Sequence, residues 1–124
     1  VVDWKYDALN RITEIGEHNP AVTPHVSRLT HYAYDLNSKP VYRKYPSGVE
    51  ELRTFDAMGR LLTMETTLTN HAWFSMAYEY DAVGSARQMV QDSENLSGAT
   101  NAVTTWQYDA RYRLTSEERR GVSP

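Results

Sequence analysis

Apolar and polar residues alternate along this chain in short runs, without the spacing of three and four that marks an amphipathic helix. Aromatic pairs two positions apart recur as Trp4/Tyr6, Tyr32/Tyr34, Tyr78/Tyr80 and Trp106/Tyr108, which places each pair on one face of a pleated strand. Between them lie the short, Thr-rich runs Arg11-Ile12-Thr13-Glu14-Ile15, Leu61-Leu62-Thr63-Met64-Glu65 and Leu114-Thr115-Ser116. These also predict strands.

The pattern is organised by a repeat. The chain has seven Asp residues, and five of them directly follow Tyr or Phe, although those two types supply only nine and two of 124 residues. The five units begin Tyr6-Asp7-Ala8-Leu9-Asn10-Arg11, Tyr34-Asp35-Leu36-Asn37-Ser38-Lys39, Phe55-Asp56-Ala57-Met58-Gly59-Arg60, Tyr80-Asp81-Ala82-Val83-Gly84-Ser85 and Tyr108-Asp109-Ala110-Arg111-Tyr112-Arg113. Their starts lie 28, 21, 25 and 28 residues apart. A constant head with a variable tail is the mark of a structural repeat whose loops differ in length.

The head has a physical reason. An Asp carboxylate accepts the backbone N–H two residues on, and Gly or Asn three residues after it takes the left-handed conformation that closes a hairpin with a bulge. Asp7/Asn10, Asp56/Gly59 and Asp81/Gly84 satisfy both conditions. Ser38 and Tyr112 do not, so the second and fifth turns are expected to be either different in type or strained.

Tyr45-Pro46-Ser47-Gly48 predicts a further tight turn, between strands at 41–45 and 49–55, whereas 17–27 and 93–100 read as longer loops. Two strands per unit give about ten strands, an all-β antiparallel meander in a twisted open sheet. We read residues 1–124 as a single repeat region. Because the chain opens on Val1 and closes on the connector-like Arg120-Gly121-Val122-Ser123-Pro124, it is expected to be a fragment of a larger protein.

Charge and composition narrow the function. A net charge of -3 provides no basic field for a phosphate backbone, so no nucleic-acid partner is expected. No run approaches the roughly 20 apolar residues of a membrane helix. A membrane barrel is a poor fit, since Glu50-Glu51-Leu52-Arg53-Thr54 puts charge on both faces of a strand. The absence of cysteine rules out disulfides and thiolate metal sites.

The heads YDALNRI, FDAMGRL and YDARYRL, together with the YPSG turn, resemble the YD or RHS repeats of bacterial polymorphic toxins, Tc toxin complexes and teneurins. The resemblance spans the whole chain, with departures at Ser38, Arg53, Ser85 and Tyr112. It implies a long antiparallel sheet spiralling into a hollow shell, in the toxins often around a toxic C-terminal segment. Secretion or display at the cell surface follows from the same likeness, as do neighbouring YD repeats as partners. The self-cleaving protease segment found in some members has no match here. Ten strands at about 4.8 Å span roughly 48 Å, and closing that width gives a lumen of only about 15 Å. A folded 100-residue cargo has a radius of gyration of about 13 Å, so one such segment cannot enclose it.

No catalytic or metal-binding constellation emerges, and no cofactor is expected. The repeated Asp residues are spread one per unit, whereas carboxylate catalysis requires two acids converging on one substrate. His18, His25, His31 and His71 show no zinc-ligand spacing, and Asn95-Leu96-Ser97 is an incidental sequon. The structural positions of the repeat are therefore Tyr6, Asp7, Asn10, Tyr34, Asp35, Phe55, Asp56, Gly59, Tyr80, Asp81, Gly84, Tyr108 and Asp109. The repeated aromatics are expected to pack over aliphatic or Thr side chains of the intervening strands. The alternative is a surface adhesin or carbohydrate-binding repeat whose aromatics stack on sugars. Unpaired sheet edges predict self-association.

Overall fold

The computed structural model describes residues 1–18, 21, 27–68, 73–95 and 98–122. They form ten strands: β1 (Val2–Tyr6), β2 (Ile12–His18), β3 (Ser27–Tyr34), β4 (Pro40–Lys44), β5 (Glu50–Phe55), β6 (Leu61–Thr67), β7 (Trp73–Tyr80), β8 (Ala86–Asn95), β9 (Gly98–Tyr108) and β10 (Leu114–Val122). Strand order in the sheet follows chain order from β1 to β10. The fold is thus an all-β antiparallel meander with no helix among the described residues. By contact density the chain divides into two compact units, Val1–Leu52 and Arg53–Pro124.

Each head turns the chain from an odd-numbered strand into the next even-numbered one. Just beyond the turn the pairing skips a residue. Tyr6 faces Ile12 but Lys5 faces Glu14, and Tyr34 faces Pro40 but Ala33 faces Tyr42. Tyr80/Ala86 with Glu79/Gln88 and Tyr108/Leu114 with Gln107/Ser116 repeat the same step. The residue seven after the head aromatic is unpaired in all four hairpins, a bulge that re-aims the side chains following it.

Between units the register is constant. Glu14 pairs with His31, Tyr42 with Leu52, Thr63 with Ala77 and Gln88 with Thr105. In every case the residue eight after one head aromatic lies opposite the residue three before the next. Differences in repeat length are therefore taken up at the far ends of the strands. This is the expected outcome when register is fixed by side chains at the head, because a one-residue slip would invert every face.

In Val1–Leu52 this register lines up a row of charge across five strands. Lys5, Glu14, His31, Lys44 and Glu50 are successive cross-strand partners. Lys5 Nζ lies 2.8 Å from Glu14, His31 Nδ1 lies 3.4 Å from the same carboxylate, and Lys44 Nζ lies 2.6 Å from Glu50. Opposite signs meet directly at Lys5/Glu14 and Lys44/Glu50, and such pairs stabilise antiparallel strands. The Lys5 ammonium, by donating to Glu14, holds its carboxyl below the usual range.

Two expectations are corrected. Residues 93–100 are not a long loop, because pairing between β8 and β9 continues through Ser93/Thr100 to Asn95/Gly98. Polar residues sit in strands here because the sheet buries little: among the described residues no hydrophobic side chain is buried, and only Thr104, at 5% exposure, is a buried polar one. Likewise Arg120, Gly121 and Val122 are the end of β10, paired with Val103, Ala102 and Asn101, and not a connector. The predicted loop at 17–27 is shortened by β2, which runs to His18, and most of its remainder lies outside the described residues. His25, His71, Leu96 and Ser97 lie outside them as well.

Candidate functional site

The chemistry of this chain is concentrated in the repeated head. In all five units the Asp Oδ1 accepts two backbone N–H bonds, from residues two and four positions on. These are Leu9 and Arg11 to Asp7, Asn37 and Lys39 to Asp35, Met58 and Arg60 to Asp56, Val83 and Ser85 to Asp81, and Arg111 and Arg113 to Asp109. Each Asp also makes the same pair of backbone bonds, its N–H to the carbonyl four residues on and its carbonyl to the N–H three residues on. One carboxylate thus satisfies donors that would otherwise face water at the mouth of the hairpin.

The residue three after each Asp has positive φ: Asn10 60°, Ser38 62°, Gly59 79°, Gly84 98° and Tyr112 59°. The second and fifth turns are therefore the same type as the others, and the left-handed residue is tolerated as Ser or Tyr. Such a conformation costs an ordinary L-residue about 1–2 kcal/mol. Tyr45-Pro46-Ser47-Gly48 forms the same backbone turn, with Tyr45 in the place of Asp and Gly48 at φ 85°.

Asp Oδ2 carries the second half of the head. Arg11 Nε donates to Asp7 at 2.6 Å, Arg60 Nε to Asp56 at 2.6 Å and Arg113 Nε to Asp109 at 2.7 Å. Held this way, the guanidinium of Arg11 lies 4.7 Å from the centre of the Tyr34 ring, and that of Arg60 lies 4.6 Å from Tyr80. Both rings belong to the following unit. Arg11 also donates to the Asp35 carbonyl and to the Ser38 hydroxyl, each at 3.1 Å. The backbone N–H of each Arg, followed by its side chain, holds the carboxyls of Asp7, Asp56 and Asp109 below their ordinary value.

The head tyrosine closes the link between units. Tyr34 donates its hydroxyl to the Ile12 carbonyl at 2.8 Å, Tyr80 to Leu61 at 2.8 Å and Tyr108 to Ala86 at 2.9 Å. Each acceptor lies six residues after the preceding head aromatic. Phe55 has no hydroxyl to contribute. Burial, the largest influence on Tyr80, pushes its phenol up.

An arginine of the preceding unit lies over the rings of Tyr34 and Tyr80, a partner the strand pattern did not indicate. The signal was present in the sequence as Arg five residues after the head aromatic in three units, but it gives no partner until the next unit is in place. Two of the three tryptophans are engaged too: Trp73 Nε1 donates to Glu94 at 2.9 Å and Trp106 Nε1 to Glu117 at 2.7 Å. Of the histidines, His18 lies 3.1 Å from Asp3 and His31 lies beside Glu14. Among the described residues no three His, Asp or Glu side chains are placed to hold a metal ion.

A chain in the crystal structure of TcdB2-TccC3-Cdc42 is similar in structure, with a TM-score of 0.65 and 15% sequence identity over 94% of this chain. That likeness establishes the fold. The chain spans about 7% of the length of that neighbour. No family model matches the chain, and no curated protein matches it.

Between the first and second units, and again between the third and fourth, the head residues form a latch. Asp fixes its own turn and an arginine; the arginine covers the next tyrosine; and the tyrosine bonds back to the earlier strand.

Proposed function

We propose that this chain is a wall segment of a YD/RHS-type shell that encloses or presents another polypeptide, such as a toxin domain, in a secreted or surface-displayed protein. The observation that carries this reading is the constant inter-unit register, held by the same latch wherever Tyr and Arg are both present. Such a device lets hairpins be added indefinitely without changing how neighbours meet, which is what a long continuous wall requires. The similar fold in a Tc-type assembly, TcdB2-TccC3-Cdc42, supports it, as does the lack of a buried apolar core among the described residues. The segment has no catalytic part in this reading.

Limited proteolysis of the longer protein tests it. The enclosed polypeptide should resist protease in the parent and become sensitive when the latch is broken by Asp56→Ala combined with Tyr80→Ala. Equal sensitivity in both proteins would refute an enclosing role. A glycan array should show no selective sugar binding, and a selective hit would favour the adhesin alternative.

A further inference from the structure

We propose that β3, at Ser27 to Leu29, takes up an extended segment of another polypeptide along its main chain, and that this segment carries an apolar side chain followed two residues later by an acidic one. The site lies within Val1–Leu52, on a strand flanked by β2 and β4. It therefore depends on neither the outer strands nor the shell role.

The site arises from unequal strand lengths. β2 and β3 pair as far as His18/Ser27, whereas pairing between β3 and β4 stops at His31/Lys44. At Tyr45 the chain turns back into β5, and β3 runs on past it without a partner on that side among the described residues. No further repeat can be laid beside it there, because the strand next to β3 is the chain's own β4.

The phase of the backbone decides which groups are bare. Main-chain N–H and C=O groups point to alternate sides of a strand from one residue to the next. His18 exchanges bonds with Val1, so Glu17 faces β3, its partner Arg28 faces β2, and Leu29 and Ser27 face away from β2. The head turn gives the same phase independently: Asp35 donates to the Lys39 carbonyl, so Ala33, His31 and Leu29 all point toward the β4 side. The N–H and C=O of Leu29 and Ser27 thus stand at an open edge, and such an edge accepts an extended chain.

The surrounding side chains define what that chain carries. A cleft of about 610 Å³ opens between this stretch and the β4–β5 turn, with Ile15, Glu17, Arg28, Thr30, Tyr45 and Pro46 among its walls. Arg43 Nη1 donates to the Tyr45 hydroxyl at 2.8 Å, which fixes the ring; with Ile15 and Pro46 it forms an apolar seat. Arg28 and Glu17 are exposed and directly opposed, yet no hydrogen bond or ion pair engages either side chain among the described residues. Arg28, on the receiving strand, is available to an acidic side chain arriving opposite it. Side chains two apart share a face, so in the antiparallel sense that β4 already has, the residue two before that acid meets Tyr45.

The chain, isotope-labelled, is titrated with a short threonine-rich peptide, acetylated and amidated at its ends, that contains leucine, threonine and glutamate in succession. The Leu29 and Ser27 amide resonances should move, and their exchange with solvent should slow. N-methylation of the threonine between leucine and glutamate removes the donor to the Leu29 carbonyl, and binding should be lost. Replacing the peptide's glutamate by glutamine should weaken binding about fivefold to the parent chain and leave it unchanged to Arg28→Gln, a difference that a folding defect cannot produce. Unmoved Leu29 and Ser27 amides, equal binding of the N-methylated peptide, or equal binding of the glutamine peptide by the parent chain would each overturn the proposal.

Discussion

The guanidinium of Arg60 stands 4.6 Å from the centre of the Tyr80 ring while its Nε donates to Asp56 at 2.6 Å. One side chain thereby ties the turn of the third unit to the aromatic of the fourth. A cation over a ring at such a site contributes about 0.5–1 kcal/mol. Arg60→Lys keeps the charge but loses the planar fork that holds the carboxylate and ring together. It should destabilise the protein by about that amount in urea titration, and Arg60→Ala by more. Equal stability of the lysine variant and the parent would remove the latch.

Tyr80 offers a cleaner deletion. Phe55 shows that a phenyl ring occupies the head position of a unit, so Tyr80→Phe removes little more than the hydroxyl that donates to the Leu61 carbonyl. A net loss of about 1 kcal/mol is expected, measurable as a lower denaturation midpoint at unchanged slope. Tyr6→Phe, whose hydroxyl has no partner among the described residues, should leave the monomer's stability unchanged.

The left-handed turn positions predict changes of opposite sign. At Gly84, φ is 98° and a Cβ would lie 3.3 Å from an Arg60 guanidinium nitrogen. Gly84→Val should therefore cost 1 kcal/mol or more. Gly84→Ser should cost less, because Ser38 occupies the corresponding place at φ 62° and its hydroxyl accepts from Arg11. Conversely, Tyr112 is exposed and left-handed, and Tyr112→Gly should raise the melting temperature, the relief of backbone strain outweighing the added unfolded-state entropy by a few tenths of a kcal/mol. A melting series over the three variants checks the order.

Acid should unlatch the heads. The carboxyls of Asp7, Asp56 and Asp109 titrate below their ordinary value in the folded chain, chiefly because backbone N–H groups donate to them. A depressed folded pKa means that the unfolded state takes up the proton first as pH falls. Their contribution is complete above the unfolded value near 3.9 and is lost as pH drops through the lowered folded values. Stability measured from pH 6 to pH 2 should fall in that acid window, and Asp56→Asn should flatten part of the decline. A decline of equal steepness in Asp56→Asn would show that this carboxyl is not part of the acid response.

Much of the fold was determined locally and is legible in the sequence. The Tyr-Asp dipeptide followed by Asn or Gly specifies a turn through bonds within five residues, so the turns at Asp7, Asp56 and Asp81 and the number of strands follow from the chain alone. Ser38 and Tyr112 were ambiguous because their own preferences oppose a left-handed φ, and the bonds around Asp35 and Asp109 prevail. Other features required the neighbouring strand. The unpaired residue seven after the head, the constant offset between units and the placement of Arg11 over Tyr34 depend on groups in different strands. No local rule ranks those pairings. Polarity misled at residues 93–100 for a related reason: in a sheet that buries almost no side chains, strand extent is decided by backbone pairing between β8 and β9 and not by a hydrophobic pattern.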